Sequence, residues 1–312
     1  MVRIVVIGDI HGRWDADDQS YYRSLRTDLL LWTGDLGDTI ADGLRVAGML
    51  SSLGEHSFGV LGNHDGAETL LVIAEALGLD LVASVLGWRH AERVTALRRV
   101  LGGHDLGLAA RELPQLGLAI VGMRPHTSGG ERISFSRTLR KVYQCVDPHA
   151  TLRARIAATT ATNLVLLGHN GPTGLGDSHL SPFGVDWRRG GGDNGDPDFA
   201  AALEHAEACG KRVLVAIGGH MHDRLKALAF RGLRRAPFAR YGTVPIVNAC
   251  TVPRIRRHKS STLHAHVELR VDGDAGLAAA DRVFWSPSAG EVRRESLLAA
   301  SASDTRGEPA RD

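Results

Sequence analysis

Val2-Arg3-Ile4-Val5-Val6-Ile7-Gly8-Asp9-Ile10-His11 opens the chain, and the same figure returns as Leu29-Leu30-Leu31-Trp32-Thr33-Gly34-Asp35. Each is a strand-length apolar run that stops at a glycine and then delivers a carboxylate or an imidazole. A short run with little polar alternation suits a strand buried on both faces of a sheet. Phe58–Leu61, Leu118–Val121, Leu164–Leu167, Val213–Ile217 and Val244–Val247 are further runs of this kind. Between the runs, amphipathic stretches predict helices over Ala16–Arg26, Ile40–Ser52, Ala67–Leu77, Ser136–Tyr143, His149–Thr159 and Asp198–Cys209. Strands alternating with helices predict an α/β layered fold.

The last third reads differently. Ala227–Phe230, Val244–Val247, Leu263–Val271 and Arg282–Trp285 are strand-like with no helices between them, which predicts a mixed, partly antiparallel sheet. Asp80–Glu112 reads as helical in part. From about Val292 the chain turns to Ala, Ser, Arg, Glu and Asp without periodicity, so one domain over 1–291 and a flexible tail over 292–312 are expected. The 37 basic and 35 acidic residues nearly cancel, leaving no global electrostatic case for nucleic acid or a membrane surface as partner. Cys145, Cys209 and Cys250 lie far apart with no CxxC pair. That spacing points to a reducing compartment and away from a disulfide framework or a thiolate zinc site. No apolar run approaches the ~18 residues of a spanning helix, and no signal-peptide pattern precedes Val2, so a cytoplasmic protein is expected.

Chemistry enters at the strand ends, where open α/β sheets bind ligands. Those positions read Gly8-Asp9-Ile10-His11, Gly34-Asp35-Leu36-Gly37-Asp38, Gly62-Asn63-His64-Asp65, Gly168-His169-Asn170 and Gly219-His220-Met221-His222. The preceding glycine allows a sharp turn and close approach of other atoms. Asp, Asn and His together suit divalent metals such as Mn, Fe, Zn, Ni or Co. Seven candidate ligands, Asp9, His11, Asp35, Asn63, His169, His220 and His222, are too many for one ion and about right for two divalent metal ions. Asp9, Asp35 and Asn63 lie 26 and 28 residues apart, the length of one strand–helix unit.

The order D-x-H, G-D-x-x-D, G-N-H-D, G-H and G-H-x-H resembles the calcineurin-like metallophosphoesterase superfamily, over about two-thirds of the chain. The resemblance implies a two-sheet β-sandwich flanked by helices. It implies one metal on Asp9, His11, Asp35 and His222, and a second on Asp35, Asn63, His169 and His220, with Asp35 bridging. It makes His64 the catalytic histidine, and Asp65 is then expected to orient it. The implied reaction is hydrolysis of a small phosphorylated substrate by a hydroxide held between the metals. Protein Ser/Thr phosphatases in this superfamily write G-D-x-x-D-R-G and G-N-H-E. Here Asp38 is followed by Thr39-Ile40 and the third motif ends in Asp65, which is closer to bacterial members acting on phosphodiesters or small esters. His169-Asn170-Gly171-Pro172-Thr173-Gly174-Leu175-Gly176 and Gly195-Asp196-Pro197-Asp198 resemble a branch from cyanobacteria and chloroplasts.

Accessory residues carry two readings each. Arg124, just past a strand, and Asn170, beside a ligand, are candidate substrate contacts; for Arg124 the alternative is a surface ion pair, and for the Gly168–Gly176 loop a plain turn. Asp38 either caps the helix from Ile40 or supports a ligand. Asp193, Asn194, Asp196 and Asp198 offer either a calcium site or a helix cap. Arg254–Lys259 is either a solvated loop or a contact to a nucleic-acid backbone, and Cys250 reads as buried and inert. His104, His126, His149, His179, His205, His264 and His266 are expected mostly at the surface. A nuclease and a non-catalytic scaffold of the same fold are the alternatives to a small-molecule phosphoesterase. A broken ligand set would mark the scaffold, and nothing in this one is broken.

Overall fold

Alternate residues of the first strands face opposite ways, and both faces are buried. Ile4 and Val6 join one core while Val5 and Ile7 join another, and Leu29 and Leu31 divide from Leu30 and Trp32 in the same manner. A strand apolar at every position has no face to give to water. The computed structural model describes residues 1–188, 190–225, 227, 230, 232–258 and 261–298. The chain runs β1 (Val2–Ile7), α1 (Ala16–Ser24), β2 (Leu29–Trp32), α2 (Ile40–Ser51), β3 (Ser57–Gly59), α3 (Thr69–Ala76), α4 (Asp80–Leu101), β4 (Ala110–Leu113), β5 (Leu118–Gly122), α5 (Ser136–Val142), α6 (Pro148–Ala158) and β6 (Asn163–Leu167). It continues through α7 (Pro197–Ala208), β7 (Arg212–Gly218), β8 (Phe238–Tyr241), β9 (Val244–Asn248), β10 (Ile255–His258), β11 (Ser261–Asp272), β12 (Gly276–Ser286) and β13 (Gly290–Ser296).

Two sheets form. One has the order β13-β12-β11-β1-β2-β3, with β10 also on β11; the other has β4-β5-β6-β7-β9-β8. β1, β2 and β3 are parallel, as are β5, β6, β7 and β9, while β11 runs antiparallel to β1. A core containing Ile4, Leu31, Ile120, Val165 and Ile217 lies between the sheets. Leu152, Ile156, Phe199 and Leu203 of α6 and α7 cover the outer face of the second sheet. Val46 and Leu50 of α2, with Val94 and Leu97 of α4, cover the outer face of the first. This is the expected helix-flanked two-sheet sandwich, and β1, β2, β3, β6 and β7 run into the loops that carry the candidate ligands.

Three readings change. Val292 opens no tail: Gly290–Ser296 form β13, paired antiparallel to β12, and Leu297 is buried. No alternation of apolar and charged residues marks this edge strand, because neither of its faces is buried. The strand expected over Ala227–Phe230 is not seen at Ala227 or Phe230, and Leu228 and Ala229 lie outside the described residues, as do 299–312. The basic run is no solvated loop: Ile255–His258 pair with β11, and Arg254 is buried; Lys259 lies outside the described residues. Among the described residues no helix is long and apolar enough to cross a membrane.

Arg254 is buried because Asp18 of α1 meets it. Both of its terminal nitrogens donate to the Asp18 carboxylate at 2.7 Å, His264 Nδ1 approaches at 2.9 Å, and Arg254 also holds the Arg13 carbonyl at 2.7 Å. Burial works to raise the Asp18 carboxyl, but Arg254 and His264 outweigh it and hold it below its ordinary value. A depressed carboxyl stabilises the fold above its unfolded pKa of about 4, and that stability is lost as pH falls through the folded value. Asp18→Asn should therefore cost about 3–5 kcal/mol at neutral pH, because it strands a buried guanidinium. Urea unfolding from pH 7 down to 3 should show a smaller acid loss in the variant than in the wild type. Equal acid limbs would remove Asp18 as the cause.

Candidate metal centre

The three loops after β1, β2 and β3 are hooked together through their backbones. Ile10 and His11 both donate their N–H to the Asp35 carbonyl, and Gly12 donates to the Leu36 carbonyl. Asp35 Oδ1 accepts the His64 N–H at 2.9 Å. In return, Asp65 accepts the N–H groups of Leu36 and Gly62, at 2.7 Å each. His11, Asp35 and His220 take left-handed backbone angles, with φ of 48°, 48° and 61°. Non-glycine residues occupy that region at a cost, and held examples cluster at functional sites. The glycines are needed for contact as well as for turning. A Cβ at Gly62 would fall on the Asp35 carboxylate and His169, and one at Gly219 on Asp9 and Thr33.

The side chains converge. His11 Nε2 lies 3.7 Å from Asp35 Oδ2, His169 Nε2 lies 3.6 Å from Asp35 Oδ1, and His222 Nε2 lies 3.6 Å from Asp9 Oδ2. Asn63 Oδ1 is 2.9 Å from His169 Nε2. Donor atoms of Asp9, His11 and Asp35 lie within 4.8 Å of one another, and so do those of Asp35, His169 and His220. Asp35 thus belongs to both groups, one carboxylate oxygen toward each. Burial works to raise its carboxyl, but His169, His64 and His11 outweigh that and hold it well below the carboxylate range. His169 and His11 are pushed up in return: burial opposes the charge, and Asp35 and Asp9 overcome it.

Asp9, Asp35, Asn63 and His169 are buried, while His11, His64, His220 and His222 are half-buried and open the site to solvent. Outer contacts orient the ligand candidates. His169 Nδ1 faces the Thr33 carbonyl at 2.7 Å, Asp9 Oδ1 accepts from Thr33 Oγ1 and the His220 N–H, and His11 Nδ1 pairs with Asp38 at 2.7 Å. Asp9 Oδ2 and His11 Nε2 are buried without a hydrogen-bond partner among the described residues. Buried polar atoms are seldom left so. Carboxylate, amide and imidazole donors facing one space fit a borderline divalent cation.

Residues 2–224 match the model of the calcineurin-like phosphoesterases. The chain belongs to that family. It is a phosphoric ester hydrolase, and the family works with divalent metal ions. Two solved structures are similar at low identity. Phosphopantetheinyl hydrolase (PptH) from Mycobacterium tuberculosis shares 14% identity at a TM-score of 0.42, over 78% of this chain and 87% of that one. A predicted phosphoesterase from Streptococcus pneumoniae TIGR4 shares 12% identity at a TM-score of 0.30, over 95% of this chain and 97% of that one. No curated protein matches the chain.

The family's five motifs meet at one edge, but four accessory readings change. Asp65 does not orient His64: both of its oxygens accept backbone N–H groups, and burial together with the Asp35 charge pushes its carboxyl up to about 7. Arg124 does not reach the cleft mouth. It is 1% exposed, and Asp196 and Asp198 hold it at 2.8 and 3.0 Å. Arg124 and Thr127 engage those two carboxylates, and Asp193 accepts from Thr173 and from the Gly174 and Gly195 N–H groups, so the loop's acidic groups serve internal bonds and not a calcium site. Asn170 is fully buried and donates to the Asn194 carbonyl, so it braces the loop after β6 instead of facing substrate. Asp38 supports His11, and Thr39 caps α2.

Of the seven histidines expected mostly at the surface, His104, His149, His179 and His205 are half-buried. His126, His264 and His266 are buried, and His126 Nδ1 contacts the Gly62 carbonyl from behind the site. His90, on α4, likewise contacts the Asp65 carbonyl through Nε2. Cys250 is buried as expected and its thiol is pushed well above its ordinary value, first by burial. Its sulfur nonetheless lies within 4.8 Å of donor atoms of Asp9 and His222. The signal was present in the sequence, since Cys250 follows the run Val244–Val247 as the other site residues follow theirs.

Gly62→Ala is the sharpest local test of this packing. The new methyl has to displace Asp35, so the purified variant should retain well under half of the wild-type metal content and melt lower. Full metal content in a folded Gly62→Ala protein would contradict the geometry.

Proposed function

We propose that this centre binds two divalent ions and hydrolyses a phosphate ester of a small molecule. The observation that carries the reading is Asp35, whose Oδ2 faces His11 and whose Oδ1 faces His169, so that one carboxylate serves two donor groups. Asp9, His11, Asp35 and His222 would hold one ion; Asp35, Asn63, His169 and His220 would hold the other. Two such ions supply a water of lowered pKa and offset charge on the phosphate oxygens. The chain's own part is positioning. Thr33 and Asp38 fix the rings of His169 and His11, and the left-handed turns at His11, Asp35 and His220 aim their side chains inward.

His64 has a separate role. Its ring stands edge-on to His11 with centroids 5.4 Å apart, and its backbone N–H is tied to Asp35. It is half-buried, so part of its ring is open to a molecule arriving from solvent. From there its imidazolium donates a hydrogen bond to a phosphate oxygen or a proton to the leaving oxygen. The leaving alcohol then departs neutral, and the imidazole recovers its proton from solvent.

Purified protein supplied with Mn²⁺ should cleave the mono-ester or the bis-ester of p-nitrophenol. His64→Ala should slow that reaction by about 10²–10⁴-fold, the usual share of a positioned acid, while keeping its metal content. Asp35→Asn should lose both activity and metal. Absence of divalent ions after metal loading, with neither ester cleaved under any metal, would sink the reading.

A further inference from the structure

Beside His222 the described residues gather more positive charge than they balance. Asp223 is 3% exposed, and its Oδ2 has no hydrogen-bond partner among the described residues. Arg234 Nη1 and Arg282 Nη1 each stop 3.9 Å from that oxygen, beyond hydrogen-bond length. Arg256 lies in the same field, under the influence of Asp223, Arg224, Arg234 and Arg282. Burial, and then the neighbouring arginines against the pull of Asp223, push its guanidinium down to about 10. Arg282 is only 4% exposed, yet among the described residues its Nε has no acceptor and neither has Arg256 Nη2, while Arg256 Nε donates to the Pro253 carbonyl at 3.0 Å. The next carboxylate, Glu295, is 3.7 Å from Arg282 but divides itself with Arg293 at 3.1 Å. Arg235 contributes nothing free, since Asp186 and the Gly184 carbonyl hold it.

Among the described residues, Arg234 and Arg282 thus share one carboxylate and part of another, and Arg224 and Arg256 add to the same field. Buried N–H groups without acceptors are costly, and a planar cationic fork is matched best by a phosphoryl or carboxylate oxygen pair. The cluster is joined to the metal centre through the backbone. Asp223 follows His222, Arg235 donates to the His222 carbonyl at 2.9 Å, and Arg224 bridges to Arg234 while remaining exposed.

We infer that Arg224, Arg234, Arg256 and Arg282 form a subsite for a second phosphoryl group, so that the ester cleaved at the centre belongs to a bisphosphorylated small molecule. The substrate half of this rests on the phosphoesterase reading above; the anion subsite does not. The same phosphoryl chemistry has a second source, free inorganic phosphate, and the experiment separates them.

In the first arm, metal-free full-length protein is titrated with inorganic phosphate by calorimetry. Saturable binding is expected, weakened at least ~10-fold in Arg256→Gln, as loss of a charge-assisted hydrogen bond implies. Arg224→Gln, at an exposed position, should weaken it as well and guards against misfolding of the first variant. No saturable binding, or equal binding in both variants, overturns the subsite. In the second arm, fructose 1,6-bisphosphate and fructose 6-phosphate compete against p-nitrophenyl ester hydrolysis by the metal-loaded enzyme. The bisphosphate should inhibit at least ~10-fold more tightly, and the ratio should collapse toward one in Arg256→Gln. A ratio near one in the wild type, with phosphate still bound in the first arm, assigns the cluster to free phosphate and overturns the substrate class. A DNA oligonucleotide that out-competes the bisphosphate overturns it in favour of a nucleic-acid backbone. If no ester is cleaved at all, the phosphoesterase reading fails while the first arm still decides the subsite.

Discussion

Two carboxylates on neighbouring loops grip each other's backbone, and the site depends on that exchange. Asp35, after β2, takes the N–H of His64; Asp65, after β3, takes the N–H of Leu36 and of Gly62. A backbone N–H that donates to an ionised carboxylate, as the His64 N–H does to Asp35, makes one of the stronger hydrogen bonds in proteins, more so away from water. The loop after β1 joins the pair through the Asp35 and Leu36 carbonyls. His90 and His126 close the back by contacting the carbonyls of Asp65 and Gly62. A histidine here is therefore positioned by a chain of bonds that ends in the helices α4 and α5, since His90 also contacts Thr138.

That rigidity answers an electrostatic problem. Asp9, Asp35 and Asp65 sit close together and buried. Buried like charges repel, and the fold meets this with imidazoles and backbone donors instead of distance. The unpartnered atoms Asp9 Oδ2 and His11 Nε2 point to what completes the balance, a cation. Strained turns at His11, Asp35 and His220 are tolerated because the surrounding bonds leave the loops no alternative. Elsewhere the same chemistry is purely structural. Arg124 with Asp196 and Asp198, and Arg254 with Asp18 and His264, are buried ion pairs that join distant elements.

The comparison of chain and fold separates local from non-local information. The runs at Val2–Ile7 and Leu29–Trp32 are apolar throughout because both faces are covered, so their pattern announces itself. β13 is silent in the sequence because an edge strand with no buried face carries charges on both sides, as Glu291, Arg293 and Arg294 show. Arg124, Arg254 and His126 were misplaced because burial of a polar side chain depends on a partner far along the chain. Arg124 finds its partners 72 and 74 residues away, and Arg254 finds Asp18 at 236. No local pattern encodes such a meeting.

By itself the sequence determined the layered α/β class, the strand ends as the place of chemistry, and the seven candidate ligands with His64 beside them. Apolar periodicity and glycine-led turns are local properties, so they are written in consecutive residues. Only the tertiary structure decided that Asp65 binds backbone and not His64, that Arg124 and Asn170 are braces, and that arginines from four separate segments gather beside His222. Those facts rest on which charges become neighbours after folding, and on how much water remains between them.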